Sequence, residues 1–224
     1  MRQKLAGQIF EKKSRPMDAY NRKQEIVNGL IHGLGVLFGI SALPVLTGLA
    51  TAHNNIPAIV GSGIYGFCFL MLFTSSTVFH FATDPVIRRV FIILDHISIF
   101  FLIAGTYTPF LLIYMNDAFG ITLLSILWGL TLVGIFFKIL FAGRFEIVSI
   151  VIYVLMGWIM FVGGRTFFDY LPLAVIILLC VGGGLYSIGV IFYLWDKYLY
   201  THAVWHIFVL TAAVCHYVAV MLAM

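Results

Sequence analysis

Seven times along its 224 residues the chain runs through about twenty consecutive, mostly apolar residues, the length a helix needs to cross the hydrocarbon core of a bilayer. The runs lie at roughly 26–50, 56–81, 90–114, 119–140, 146–164, 171–194 and 201–223. They show no alternation of apolar and polar residues, which argues against a transmembrane barrel. Only 10% of the residues are charged, against about 25% in a soluble domain. The expected fold is an all-α integral membrane protein, a seven-transmembrane-helix bundle over residues 25–224, preceded by a basic cytoplasmic segment at 1–24. That segment lacks the apolar core and small-residue cleavage site of a secretory signal, so the first span is expected to act as anchor. The three cysteines, Cys68, Cys180 and Cys215, fall inside runs and offer no disulfide framework.

Charge sets the expected orientation. Arg2, Lys4, Lys12, Lys13, Arg15, Arg22 and Lys23 precede the first run, Arg88 and Arg89 follow the second, Lys138 and Arg144 flank the link after the fourth, and Lys197 follows the sixth. All fall on one side, with only Arg165 on the other. The positive-inside rule places the N-terminus in the cytoplasm and the C-terminus outside. The formal net charge of +4 is then explained by topology and anionic lipid, with no nucleic-acid partner.

With this orientation the rare polar groups of four runs share one depth. His202 and His206 open the last run four residues apart, one turn above the other on a single face. His80 closes the second run and Asp95 stands near the start of the third. Glu25, Asn28 and His32 enter the first on one face, at i, i+3 and i+7. Ionisable groups inside a span are costly and mark a functional site by default. Three neutral histidines, His80, His202 and His206, can hold one Zn2+ ion and leave a fourth position to water, as in catalytic zinc sites. Asp95 is placed to act as base, and Ser76, one turn before His80, to hydrogen-bond the water or Asp95. The same groups could instead bond only one another and pin the helices together.

The other histidines carry less. His53 belongs to a polar loop, His96 points away from Asp95 as a packing or supporting residue, His32 approaches the site without being an expected ligand, and His216 lies about 15 Å beyond His206 along the helix. Gly61-Ser62-Gly63-Ile64-Tyr65-Gly66 matches a dinucleotide fingerprint, but it lies inside an apolar run and reads as close helix packing.

These motifs occur in an order that resembles a known family. Glu25-x-x-Asn28-x-x-x-His32-Gly33, Ser76-x-x-x-His80, Asp95-His96 leading into Leu102-Ile103-Ala104-Gly105-Thr106-Tyr107-Thr108-Pro109-Phe110, and His202-x-x-x-His206 look like the hemolysin III branch of the progestin and adiponectin receptor superfamily. Gln24 departs from the pattern, standing where bacterial relatives often carry a second glutamate. The resemblance implies a seven-helix bundle with a cytoplasmic N-terminus in the bacterial inner membrane, zinc on His80, His202 and His206, Asp95 contacting the water on the metal, and Ser76 assisting. It also implies ceramidase-like hydrolysis of a lipid amide or ester, in the service of membrane lipid homeostasis. A membrane lipid or fatty acyl ligand is the expected partner. With no long extracellular domain for a protein hormone, a hormone receptor is disfavoured. A non-enzymatic sensor or regulator of membrane state with structural zinc is the alternative, and a pore-forming haemolysin a third, weakened by the lack of a polar face to line a pore.

The charge asymmetry makes a direct prediction. A reporter fused after Met224 should lie outside the cytoplasm and one inserted in the 84–89 turn inside it; a cytoplasmic C-terminal reporter overturns the assigned depths.

Overall fold

A computed structural model describes residues 19–141, 144–195 and 198–224. Arg2, Lys4, Lys12, Lys13, Arg15 and Lys197, counted above for orientation, lie outside the described residues. Among the described residues eight α-helices follow in order: α1 (Ala19–Ala52), α2 (Ile56–Phe81), α3 (Pro85–Tyr114), α4 (Ala118–Leu140), α5 (Glu146–Gly157), α6 (Gly164–Tyr170), α7 (Leu173–Leu194) and α8 (Thr201–Leu222). Five of them, α1, α2, α4, α7 and α8, are long and apolar enough to cross a membrane. The protein is an all-helical membrane protein, and its outward faces show why. On α1, Leu30, Leu34, Leu37 and Ile40 are about 60% exposed, while Asn28 and His32 on the other face are buried. This reverses the pattern of a water-soluble helix, whose apolar stripe faces inward.

Short polar caps set several boundaries. Asn55 accepts a hydrogen bond from the Ala58 amide, Asp84 from the amides of Val86 and Ile87, and Asp117 from that of Gly120. Each satisfies first-turn donors that a helix cannot pair internally. The Asp84 cap, with Pro85 in the first turn, starts α3 five residues before the apolar run begins. Arg88 and Arg89 are therefore helical, not part of a loop.

The fifth run also differs from a single span. It breaks after Gly157 into a short 3₁₀ turn (Ile159–Phe161) and resumes as α6 after Gly163, with Gly164 in the left-handed region at φ 56°. Glycine adopts that conformation without steric cost. The carbonyl freed at the break is not stranded: Tyr107 of α3 donates its hydroxyl to the Gly157 oxygen at 2.5 Å. Trp158 donates its indole N–H to Ser187 of α7 at 3.0 Å. Side chains of neighbouring helices thus re-satisfy a broken helix.

Packing arranges the helices as a ring. α4 packs on α3, α3 on α2, α2 on α1, α1 on α8 and α8 on α7, while α5 touches α3 and α7 and closes the circuit. Small residues permit the tight approaches. A Cβ added at Gly105 would lie 2.7 Å from the Cys68 sulfur, and one at Gly61 2.6 Å from Pro109 Cα. Gly61 therefore packs as its position in an apolar run implies, whereas Gly63 faces open space. All three cysteines are free thiols.

This contrast is testable on one helix. Gly61→Ala forces backbone to move and should cost about 1–3 kcal/mol. Gly63→Ala should be neutral or stabilising by up to about 1 kcal/mol, since alanine is the better helix former. Thermal unfolding of the two variants in detergent checks both.

Candidate metal centre

Helices distant in sequence meet at one end of the ring. α2 delivers His80 at its last turn, and α8 delivers His202 and His206 from its first two turns. Tyr200, in the left-handed region at φ 64°, turns the chain immediately before α8. His80 and His206 are each 2% exposed and His202 is half-buried. One ring nitrogen from each of the three histidines lies within 4.8 Å of the others. The Nε2 atoms of His80 and His206 are 2.9 Å apart.

The proton positions follow from the surroundings. Nδ1 of His80 lies 2.5 Å from Oε2 of Glu25 on α1. An ionised carboxylate only accepts, so Nδ1 carries the proton and donates it. The Nε2 lone pair is then left facing the other two imidazoles. Glu25 in turn accepts from Arg88 Nη2 through its second oxygen, at 2.5 Å. Three converging imidazole nitrogens, two of them from buried rings and one with its lone pair fixed inward by a carboxylate, form a donor set that suits a metal ion. In a tetrahedral zinc site with bonds of about 2.0–2.1 Å, ligand nitrogens stand roughly 3.3 Å apart, so small side-chain rotations bring this set into register.

The remaining predicted residues divide. Asp95 lines the same cavity as the three histidines, together with Glu25, Asn28 and His32. Ser76 is fully buried one turn before His80; its hydroxyl has no hydrogen-bond partner among the described residues and does not line that cavity. His32 comes closer than its sequence position suggests. Its ring centroid is 3.8 Å from that of His206, edge-on, and neither ring nitrogen has a hydrogen-bond partner among the described residues. His96 lines the cavity and its Nδ1 donates to the Ile92 carbonyl at 2.6 Å. His216 is buried and approaches the Leu179 carbonyl through Nε2 at 3.3 Å. His53 is exposed in the loop after α1.

Three contributions were not read from the sequence. Glu25 accepts from His80, Arg88 donates to Glu25, and Lys138 is buried at 5% exposure and lines the cavity, its Nζ 6.0 Å from the Tyr153 ring centroid. In the sequence Arg88 and Lys138 enter only a charge count. The signal that could have found Arg88 is the Asp84-Pro85 cap, which puts it on the first turn of a helix.

Beyond the histidines the cavity continues along the ring's interior, with a volume of about 1240 Å³. Leu102, Ile103 and Val209 line it, and it reaches Tyr107, Gly157 and His216.

Fold and site together define a multi-pass, all-helical membrane protein with a histidine cluster that could hold a metal ion. The sequence pattern of the Haemolysin-III related family matches residues 20–217, and the chain belongs to that family. It is 44% identical over 188 residues to hemolysin-3 of Bacillus cereus, covering 84% of this chain and 86% of the relative. It is 45% identical over 188 residues to the hemolysin-3 homolog of Bacillus subtilis (strain 168), covering 84% and 88%. Over 189 residues it is 29% identical to the monocyte to macrophage differentiation factor of Homo sapiens, covering 74% and 77%. No solved structure matches the chain.

The donor set predicts that purified protein carries about one metal ion per chain. His80→Ala, His202→Ala and His206→Ala should each lose most of it. Elemental analysis finding full metal content in all three variants rejects the site.

Proposed function

We propose that this protein is a zinc-dependent hydrolase of a lipid amide or ester, working within the bacterial cytoplasmic membrane as a seven-span bundle with its N-terminus inside. The observation that carries the reading is that the histidine cluster and the long, largely apolar cavity are continuous. Ligand pockets commonly measure about 300–1,000 Å³, and this one, at about 1240 Å³, has room for an acyl chain beside the reacting group. It extends from His202 and His206 to His216, about 15 Å along α8. The third span would be α3. The fifth would run through α5, the 3₁₀ turn and α6, its break lining the cavity at Gly157 and Trp158.

His80, His202 and His206 would hold zinc, and bound zinc would supply a nucleophile from water at neutral pH and polarise the scissile carbonyl. Asp95 faces the same space. Its carboxylate would take the proton from the attacking water and return it to the departing nitrogen or oxygen. Ser76 would support this end of α2 from behind His80. The apolar wall formed by Leu102, Ile103 and Val209 would seat the acyl chain and keep bulk water from the carbonyl.

A second reading has one observation in its favour. His32 places two more imidazole nitrogens against His206. If His32 closed the fourth position, the metal would be structural and the protein a sensor or regulator of membrane state.

Asp95→Asn separates the two. It keeps size and removes basicity. In a hydrolase the variant should keep its metal and melting temperature and lose about 10²–10⁴-fold in turnover, because general base catalysis contributes that much. The check is metal content and melting temperature on purified protein, with lipid profiles of cells carrying Asp95→Asn beside a deletion strain. A lipid that accumulates in both strains supports the enzyme. A variant with normal metal, stability and lipid profile refutes it.

A further inference from the structure

Glu25 sits on α1, away from the two helices that supply the histidines, yet both of its carboxylate oxygens are committed at the site. Oε2 accepts from His80 Nδ1 and Oε1 from Arg88 Nη2, each at 2.5 Å. Arg88 is itself held. Its Nη1 donates to the Phe79 carbonyl at 3.2 Å, and its guanidinium lies 4.4 Å above the centre of the Phe79 ring. Phe79 immediately precedes His80. The contacts therefore close a circuit: His80 to Glu25, Glu25 to Arg88, Arg88 back to Phe79 and so to His80 through the chain.

We infer that Glu25 is a positioning residue for the metal, fixing the tautomer and ring orientation of His80, with Arg88 fixing Glu25. The inference rests on the metal reading above and deepens it. An imidazole beside a metal has two ways to err. It can turn over, presenting Nδ1 in place of Nε2, or it can place its proton on the nitrogen that should coordinate. A carboxylate on Nδ1 prevents both, and by drawing on the N–H it makes Nε2 a stronger donor. Glu25 needs a neighbouring cation to stay ionised at this depth, since its side chain is only 19% exposed. Arg88 supplies that cation from the first turn of α3, with a planar fork that meets the carboxylate on one side and the Phe79 carbonyl on the other.

The circuit also explains why four helices contribute at this end when two would supply the ligands. Glu25 ties α1, and Arg88 ties α3, to the last turn of α2, the part of that helix most prone to fray. His80 is 2% exposed while Glu25 and Arg88 are 19% and 16% exposed, so the polar pair forms the outer wall and the ligand lies behind it.

The test measures zinc affinity by chelator competition on the full chain purified in detergent, together with the visible absorption spectrum of the cobalt-substituted protein. Glu25→Gln keeps size and can still accept a hydrogen bond, but it lacks the charge. Zinc affinity should fall about 10–100-fold, the usual effect of losing a carboxylate behind a ligand histidine. The cobalt bands should shift, because the ligand field at His80 changes. Arg88→Gln should weaken zinc in the same direction by a smaller factor. Melting temperatures of the metal-free proteins distinguish positioning from helix pinning. Metal-free Glu25→Gln protein that melts near the native temperature while binding zinc more weakly supports the inference. Native affinity and cobalt spectrum in both Glu25→Gln and Arg88→Gln overturn it. So does a metal-free melting temperature that falls while affinity holds. A native chain that takes up neither zinc nor cobalt overturns the metal reading itself, and the inference with it.

Discussion

Inside a bilayer a polar group has only other protein groups to bond, because hydrocarbon offers neither donor nor acceptor. Much of this structure follows from that constraint. Hydroxyls on the helices mostly return to carbonyls one turn back, as Thr106 does to Leu102 and Thr131 to Leu127. Tyrosines reach further. Tyr65 donates to Ala213, Tyr114 to Ala223 and Tyr217 to Ala42, each tying α8 to another helix through a backbone oxygen. The charged groups are handled differently. Glu25, His80 and Arg88 are gathered at one end, where they satisfy one another at the edge of the bundle.

The same constraint divides the ring into firm and loose parts. α1, α2, α3 and α8 share the aromatic core of Tyr65, Phe69, Phe73 and Phe100, all fully buried. The histidines are carried by α2 and α8, both within that part. α5 has only Ser149 and Met156 buried and meets few neighbours. The histidines thus stand on the helices with the most buried packing, opposite the wall with the least. Sites placed on rigid elements are held more closely than sites on mobile ones.

Much of this was legible in the sequence because the strongest signals are local. Runs of apolar residues mark long helices, and His202 and His206 share a face by spacing alone. Matched depth then singled out His80, which the structure brings to them. The misses are all cases where the outcome depends on a residue far away in the chain. Glu25 finds His80 across 55 positions and Arg88 across 63, and no periodicity encodes a partner at that range. The break after Gly157 is another. Glycine permits it, but Tyr107, fifty positions earlier, makes it stable by donating its hydroxyl to the exposed carbonyl. The burial of Lys138 is a third: the sequence places it at the end of an apolar run, and only the packed neighbours show it turned inward.

The distribution of the three histidines along the chain sets an order of events at the ribosome. His80 leaves it early, whereas His202 and His206 emerge 122 and 126 positions later, at the start of the final helix. Since chains fold from the N-terminus as they are made, the early helices must insert and pack while the cluster is still incomplete. A chain interrupted before Thr201 lacks two of the three histidines that could hold a metal ion. Any ion that the cluster takes up must therefore wait for α8, and an apoprotein pool would report on incomplete insertion as much as on metal supply.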